Sequence, residues 1–160
     1  MKIVKKPEND IIILNGTAWD RSNLTVFGQA HFTHEEALKL ASERGKRLPT
    51  PNEARAVSQN PRCVVYENIC DENPKGDATK IDISLYLNKK ISFNFNGYIS
   101  PTTNQILKKS IFCVYWHKSP GVNIYNGIEQ NTFFYNSLSG FGRERFSILA
   151  KCSVRLVKNI

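Results

Sequence analysis

The run Gly45-Lys46-Arg47-Leu48-Pro49-Thr50-Pro51-Asn52-Glu53-Ala54 constrains this chain more than any other stretch. Pro49 pushes Leu48 out of the helical region, so no helix runs through it. Beyond it, Thr50 is a helix cap, Pro51 suits the first helical position, and Glu53 closes the reciprocal capping pair. Before it, Gly45 supplies the left-handed residue that stops a helix. The incoming helix begins at Thr33, where Glu36 again stands three residues on. Ala37, Leu38 and Ala41 form its apolar stripe; Ala54 and Val57 serve the second helix, which ends at Asn60-Pro61. Two short helices joined by an extended elbow are expected.

Around that corner the period changes to two. Ile11–Leu14 reads as a first buried strand, followed by an Asn15-Gly16 turn and Thr17-Ala18-Trp19. Residues 20–31 look like loop, and Asn68 to Lys80 reads as a polar loop. Ile81, Ile83, Leu85 and Leu87 then alternate with polar residues, as do Ile91, Phe93 and Phe95, with Asn88-Lys89-Lys90 as the turn. Ile106–Lys109, Ile111–Trp116, Val122–Ile124, Gln130–Tyr135, Phe146–Leu149 and Ser153–Val157 continue the strand pattern. The class is therefore α+β: two N-terminal helices packed on a twisted antiparallel sheet with long loops. Leu48, Trp116 and Leu156 are expected to meet in its interior.

At 160 residues the chain suits one domain, spanning 11–160, with residues 1–10 as a polar N-terminal arm. Its net charge of +8 is scattered, and the pairs Lys5-Lys6, Lys89-Lys90 and Lys108-Lys109 fall at turns or strand ends. Specific nucleic-acid binding needs clustered phosphate contacts, so no nucleic-acid partner is expected. The apolar run Ile11–Leu14 falls far short of the roughly 18 residues of a membrane span, so no membrane insertion is expected. Residues 1–7 lack the apolar core of a signal peptide, which points to the cytoplasm or to a virion assembled there. Cys63, Cys70, Cys113 and Cys152 include no C-x-x-C pair, and four reduced, mostly buried thiols are expected.

The chemically capable groups do not form a reactive constellation. His31, His34 and Glu35 have metal-binding atoms, but the Thr33 cap separates the histidines, so they share no helix face. Cys113 and His117 lie about 13 Å apart along a strand, too far for a thiolate–imidazole pair. No catalytic residue, metal ligand or cofactor is assigned. The late aromatics Tyr115, Tyr125, Phe133, Phe134, Tyr135 and Phe141, interleaved with asparagines, fit either a recognition surface or core filling. Loops around 117–127 and 138–145 are the expected partner surface, with Tyr125, Phe141, Arg143 and Arg145 as its contacts. The plainer alternative for this segment is a solvated hairpin tip.

Several short motifs then fall into a familiar order. They are Asn15-Gly16-Thr17-Ala18-Trp19-Asp20 with Asn23-Leu24, Phe32-Thr33-His34-Glu35-Glu36-Ala37, and Lys46-Arg47-Leu48-Pro49-Thr50 with Glu53. Asn96-Gly97-Tyr98, Tyr115-Trp116 and the closing Ser153-Val154-Arg155-Leu156-Val157 complete the series. Together, over roughly residues 11 to 158, they resemble the C-type-lectin-like fold in its formylglycine-generating-enzyme branch. The short Fibrobacter succinogenes major paralogous domains of bacteria and phages are the nearest likeness. The resemblance departs at His117-Lys118, where that family has serines, and the loop that follows is shortened. Formylglycine-generating enzymes use a reactive cysteine pair, and neither Cys113 nor Cys152 matches it by position. Calcium-dependent sugar sites in the superfamily lie in a late loop, whereas Asp71-Glu72-Asn73-Pro74 comes early and reads as a solvated acidic turn.

The resemblance and the Lys-, Asn- and Ile-rich composition imply a non-enzymatic structural or recognition module. An accessory virion protein of a bacteriophage is expected: a head decoration, fibre or tail-associated subunit. Its partners would be other virion proteins or a host-surface receptor, within an oligomer or larger assembly. The alternatives are a degenerate or active thiol or metal enzyme of the formylglycine-generating branch, and a glycan-binding surface protein.

Overall fold

The computed structural model describes residues 11–14, 16–58, 63–70, 73–84, 90–108, 112–118, 129–136 and 140–160. Among them are two helices, α1 (His34–Glu43) and α2 (Pro51–Ser58). The strands, in chain order, are β1 (Ile11–Leu14), β2 (Thr17–Asp20), β3 (Cys63–Cys70), β4 (Asn73–Ser84), β5 (Lys90–Asn94) and β6 (Tyr98–Ile99). They continue with β7 (Ile106–Leu107), β8 (Phe112–Trp116), β9 (Glu129–Asn136), β10 (Gly140–Ser147), β11 (Lys151–Cys152) and β12 (Val157–Asn159). Every strand pairing is antiparallel, in four three-stranded sheets ordered β1-β2-β12, β3-β4-β5, β11-β6-β7 and β10-β9-β8. The α+β class holds.

Both helix starts carry the expected reciprocal caps. Glu36 N donates to Thr33 Oγ1 at 3.2 Å while Thr33 N donates to Glu36 Oε1 at 2.9 Å. Glu53 N donates to Thr50 Oγ1 at 3.3 Å, and Thr50 N to Glu53 Oε1 at 2.9 Å. Gly45 ends the first helix segment at φ +64°, a conformation a Cβ would strain. The inner face of α1 differs from the expected stripe: His34, Ala37 and Ala41 are buried, whereas Leu38 is 39% exposed. One position past Ala37, Leu38 is rotated by about 100° to the flank of the buried face.

Strand β1 is an edge, not a buried strand. Ile12 is covered, while Ile11 and Ile13 face outward. The polar stretch 68–80 is mostly strand rather than loop, because it lies in the β3–β4 hairpin. Backbone pairing there overrides side-chain polarity, and register shifts at Tyr66/Glu67 and Asn68/Cys70 absorb the irregularity. In β4 and β5, Ile81, Ile83, Ile91 and Phe93 are buried as the alternation requires. Leu85, Leu87, Asn88-Lys89, Asn60-Pro61, Ile111 and Val122–Ile124 lie outside the described residues. β7 stops at Leu107, before Lys108 turns to φ +58°. The strand expected at 146–149 instead ends β10 at Ser147, leaving Leu149 exposed in a turn.

The closing Ser153–Val157 is not one continuous strand either. Its partners change at almost every residue, so no ladder accumulates. Cys152 exchanges backbone bonds with Phe32 at 2.9 Å each way, and Ser153 bridges Tyr115 in parallel. Val154 O then accepts from Leu24 N at 2.8 Å, and Leu156 O from Asp20 N at 2.9 Å. Val157 pairs with Arg47 before β12 joins β2.

Strand β8 and this closing segment run between two cores. Cys113 and Tyr115 face a core with Trp19, Val57, Ile81, Phe93 and Val157. Val114 and Trp116 face the other, with Phe32, Ala37, Leu48, Cys152 and Leu156. Leu48, Trp116 and Leu156 therefore meet as expected, each no more than 1% exposed. Leu48→Ala opens a void where the helical corner meets the closing segment. Urea denaturation is expected to report a loss of about 2–5 kcal/mol. A loss within about 0.5 kcal/mol of zero would place that contact at the surface.

Candidate functional site

Among the described residues, a buried polar constellation is built around Arg155, which is 1% exposed. The alternation of the closing segment sends Cys152, Val154 and Leu156 to one core, and turns Arg155 toward the other. Its Nη2 donates to Asn23 Oδ1 at 2.6 Å and Ser92 O at 2.7 Å. Nε donates to Asn23 Oδ1 at 3.1 Å, and Nη1 to Asp20 O at 3.3 Å. The guanidinium carbon lies 4.8 Å from the Phe93 ring centroid and 5.7 Å from that of Tyr115. Tyr115 Oη donates to Asn23 Oδ1 at 2.8 Å and accepts from Asn94 N at 2.9 Å. Burial pushes the Tyr115 phenol up to about 12, with the Arg155 charge opposing. No ion pair to Arg155 occurs among the described residues. Carbonyl dipoles and aromatic faces carry the charge instead.

A second node sits at the corner. Arg47 Nη1 and Nη2 donate to Glu53 Oε1 and Oε2 at 2.6 and 2.9 Å, and Thr17 Oγ1 donates to Glu53 Oε2 at 2.5 Å. These bonds from Arg47 and Thr17, with the Thr50 amide, hold the Glu53 carboxyl down at about 2. Arg47 also donates to Asn159 Oδ1, at 2.7 Å through Nη2, joining the corner to β12.

The histidines are used separately. His31 Nε2 meets Asn96 O at 2.9 Å, and His34 Nε2 meets His117 O at 2.9 Å. His34 stands edge-on to Trp116 at 5.3 Å, and burial lowers its basicity against that carbonyl bond. Trp116 Nε1 donates to Phe32 O at 2.7 Å. Cys113 and Cys152 are free thiols, fully enclosed, and burial pushes both well up. Such thiols are poor nucleophiles at neutral pH. Among the described residues no three His, Cys, Asp or Glu side chains cluster as a metal site.

Two open clefts flank the end of α1. One, of about 300 Å³, lies between Asp20, Asn23, Thr25, Arg44, Lys46 and Leu156. Inside it Lys46 Nζ holds both Asp20 oxygens, at 2.8 and 3.0 Å. The other, of about 340 Å³, lies behind Lys46 against Leu38 and Leu48.

Of the residues expected to meet a partner, Phe141, Arg143 and Arg145 lie on a strand rather than in a loop. They occupy alternate positions of β10, registered against Tyr135, Phe133 and Asn131 of β9. Gly140 and Gly142 are typical of loop composition, but the eight-residue ladder with β9 holds them extended. At the start of the other expected loop, His117 is buried and Lys118 exposed, its amide bonded to Pro49 O. Tyr125 lies outside the described residues. The Arg155 cluster was missed although its motif was visible: an arginine inside an apolar alternation marks a buried, heavily bonded charge.

Comparison with protein-family models, curated proteins and solved structures gives no match. No described helix is long and apolar enough to cross a membrane.

The Glu53 node has a pH signature. A folded carboxyl at about 2, below the unfolded value of 4.5, stabilises the fold fully above that value. The contribution disappears as pH falls from about 4.5 through about 2, and after solvent screening amounts to about 1–2 kcal/mol. Chemical denaturation across that window should show a shallower acid-side loss for Glu53→Gln than for the parent chain. Parallel curves would remove Glu53 from the acid response.

Proposed function

We propose that the chain is a non-enzymatic structural and recognition module on a C-type-lectin-like scaffold. It serves as an accessory virion protein of a bacteriophage: a head decoration, fibre or tail-associated subunit. The observation that carries the reading is where the chemically capable groups are used. Arg155 and Tyr115 hold strands and loops together, His31 and His34 bond backbone carbonyls, and two thiols are sealed in the cores. These groups hold the fold, which suits a rigid display scaffold.

The lectin-like scaffold is supported by three parts of the resemblance converging in one core: the corner at Leu48, Trp116 of the Tyr-Trp pair, and Leu156 of the closing motif. The partner surface is assigned to Phe141, Arg143 and Arg145 of β10, together with Tyr125, which precedes β9 in the chain. Among the described residues β10 pairs only with β9, so it ends its sheet, and an edge strand offers backbone as well as side chains to a partner. The partner is another virion protein or a host-surface receptor, and the chain resides in the virion after cytoplasmic synthesis.

The test is incorporation and attachment. The chain should copurify with phage particles, and replacing Tyr125, Phe141 and Arg143 with Ala should leave the thermal melt nearly unchanged. Assembly or host attachment should fall by at least about tenfold, as when interface anchors are lost. Unimpaired assembly and attachment of the folded triple variant would remove this surface. Absence of the parent chain from particles would remove the virion role.

A further inference from the structure

Two sheet edges of this molecule are treated in opposite ways. At β5, which ends its sheet among the described residues, side chains stand in for a neighbouring strand at every second residue. Arg21 Nη1 donates to Lys90 O at 3.0 Å, Arg155 Nη2 to Ser92 O at 2.7 Å, and Asn94 N donates to Tyr115 Oη at 2.9 Å. At β1 nothing comparable occurs among the described residues. Ile11 stands opposite Asp20, Ile12 opposite Trp19, Ile13 opposite Ala18 and Leu14 opposite Thr17. Asp20 N donates away from β1, to Leu156 O, so Ile11 and, two residues on, Ile13 exchange no ladder bonds with β2. Their N–H and C=O groups therefore face the open edge. Their side chains are exposed as well, 43% for Ile11 and 48% for Ile13. An open edge of isoleucines is a template for another strand.

The chain carries such a strand immediately before β1. Pro7-Glu8-Asn9-Asp10 has turn chemistry: proline presets the second position of a type I turn, and Asn and Asp tolerate left-handed backbone. Four-residue hairpin loops are built around this turn. Closing the loop there sets Lys6 opposite Ile11 and Val4 opposite Ile13, the two positions whose backbone groups are open. A loop one residue shorter would aim its bonds at Ile12, whose own groups already face Trp19. In the four-residue register Val4 and the aliphatic stem of Lys6 cover Ile13 and Ile11, and Ile3 falls beside Leu14. Lys2, Lys5 and Lys6 then lie on the new outer edge, where lysine discourages further pairing.

We propose that residues 2–6 add to the open edge of β1 as an antiparallel strand of the same molecule. The β1-β2-β12 sheet gains a fourth strand, and the polar arm expected from the sequence becomes part of the domain. The exposed isoleucines are then an internal docking site rather than a surface for other chains. This inference does not depend on the virion reading. A bare β1 would overturn it and leave partner attachment through β10 untouched.

Amide hydrogen exchange and Hα–Hα contacts, read by NMR on the full chain and on Val4→Pro over a dilution series, provide the test. In the parent the Ile11 and Ile13 amides should be protected at every concentration. Hα–Hα contacts should link Lys5 to Ile12 and Ile3 to Leu14, the close pairs of this register. Val4→Pro removes a ladder donor from the added strand. Exchange at Ile11 and Ile13 should then quicken at least about tenfold, while Ile12, paired with Trp19, keeps its protection. Protection elsewhere in the domain shows that the variant is folded, and the parent's Hα contacts decide the matter if it is not. Fast exchange at Ile11 and Ile13 in the parent, absent Hα contacts, or unchanged exchange in the folded variant would each overturn the proposal. So would protection that rises with concentration, because a second copy would then be supplying the strand.

Discussion

The rest of the structure depends on how one buried charge is satisfied. A guanidinium taken from water is costly unless every direction around it offers an acceptor or an electron-rich face. Arg155 meets Asn23, Asp20 O and Ser92 O with its nitrogens, and the rings of Phe93 and Tyr115 with its plane. These partners come from the end of β2 and the loop after it, from β5 and from β8. The interaction therefore requires three distant segments to be in place before the closing segment can dock. Asn23 is its pivot: only an amide oxygen can accept from both Arg155 and Tyr115, which sets the orientation of that side chain.

The helical corner meets the same closing segment from the other side. Arg47 pairs its backbone with Val157 and its side chain with Asn159, while Glu53 grips Arg47 and reaches Thr17 of β2. Leu48 and Leu156 then close the core beneath α1. Residues 152 to 159 thus contact, in turn, the approach to α1, β8, the loop after β2, the corner and β2 itself. A segment whose partners change residue by residue has little structure alone. Its conformation is set by the segments it touches.

That arrangement explains which features the sequence disclosed. The caps at Thr33 and Thr50 and the stop at Gly45 act within a few residues, so their chemistry could be read in place. The alternation around Ile81, Ile83, Ile91 and Phe93 could be read for the same reason. The β3–β4 hairpin through 68–80 and strand β10 could not, since their partners lie elsewhere and their composition resembles loop. The closing segment was misjudged in the opposite sense: its apolar alternation was real, but it packs both faces without a continuous ladder. Of the proposed partner surface, the chain order of Phe141, Arg143 and Arg145 was visible while their strand was not.

The account makes the buried polar groups structural, with Asn23 and Arg155 as one coupled unit. A double-mutant cycle of Asn23→Ala and Arg155→Met, followed by urea denaturation, measures that coupling directly. The coupling should be about 1.5–3 kcal/mol, as for a hydrogen bond to a charged group whose loss strands its partner. Single effects that add to within about 0.5 kcal/mol would mean that Arg155 and Asn23 stabilise the fold independently, contradicting the central claim.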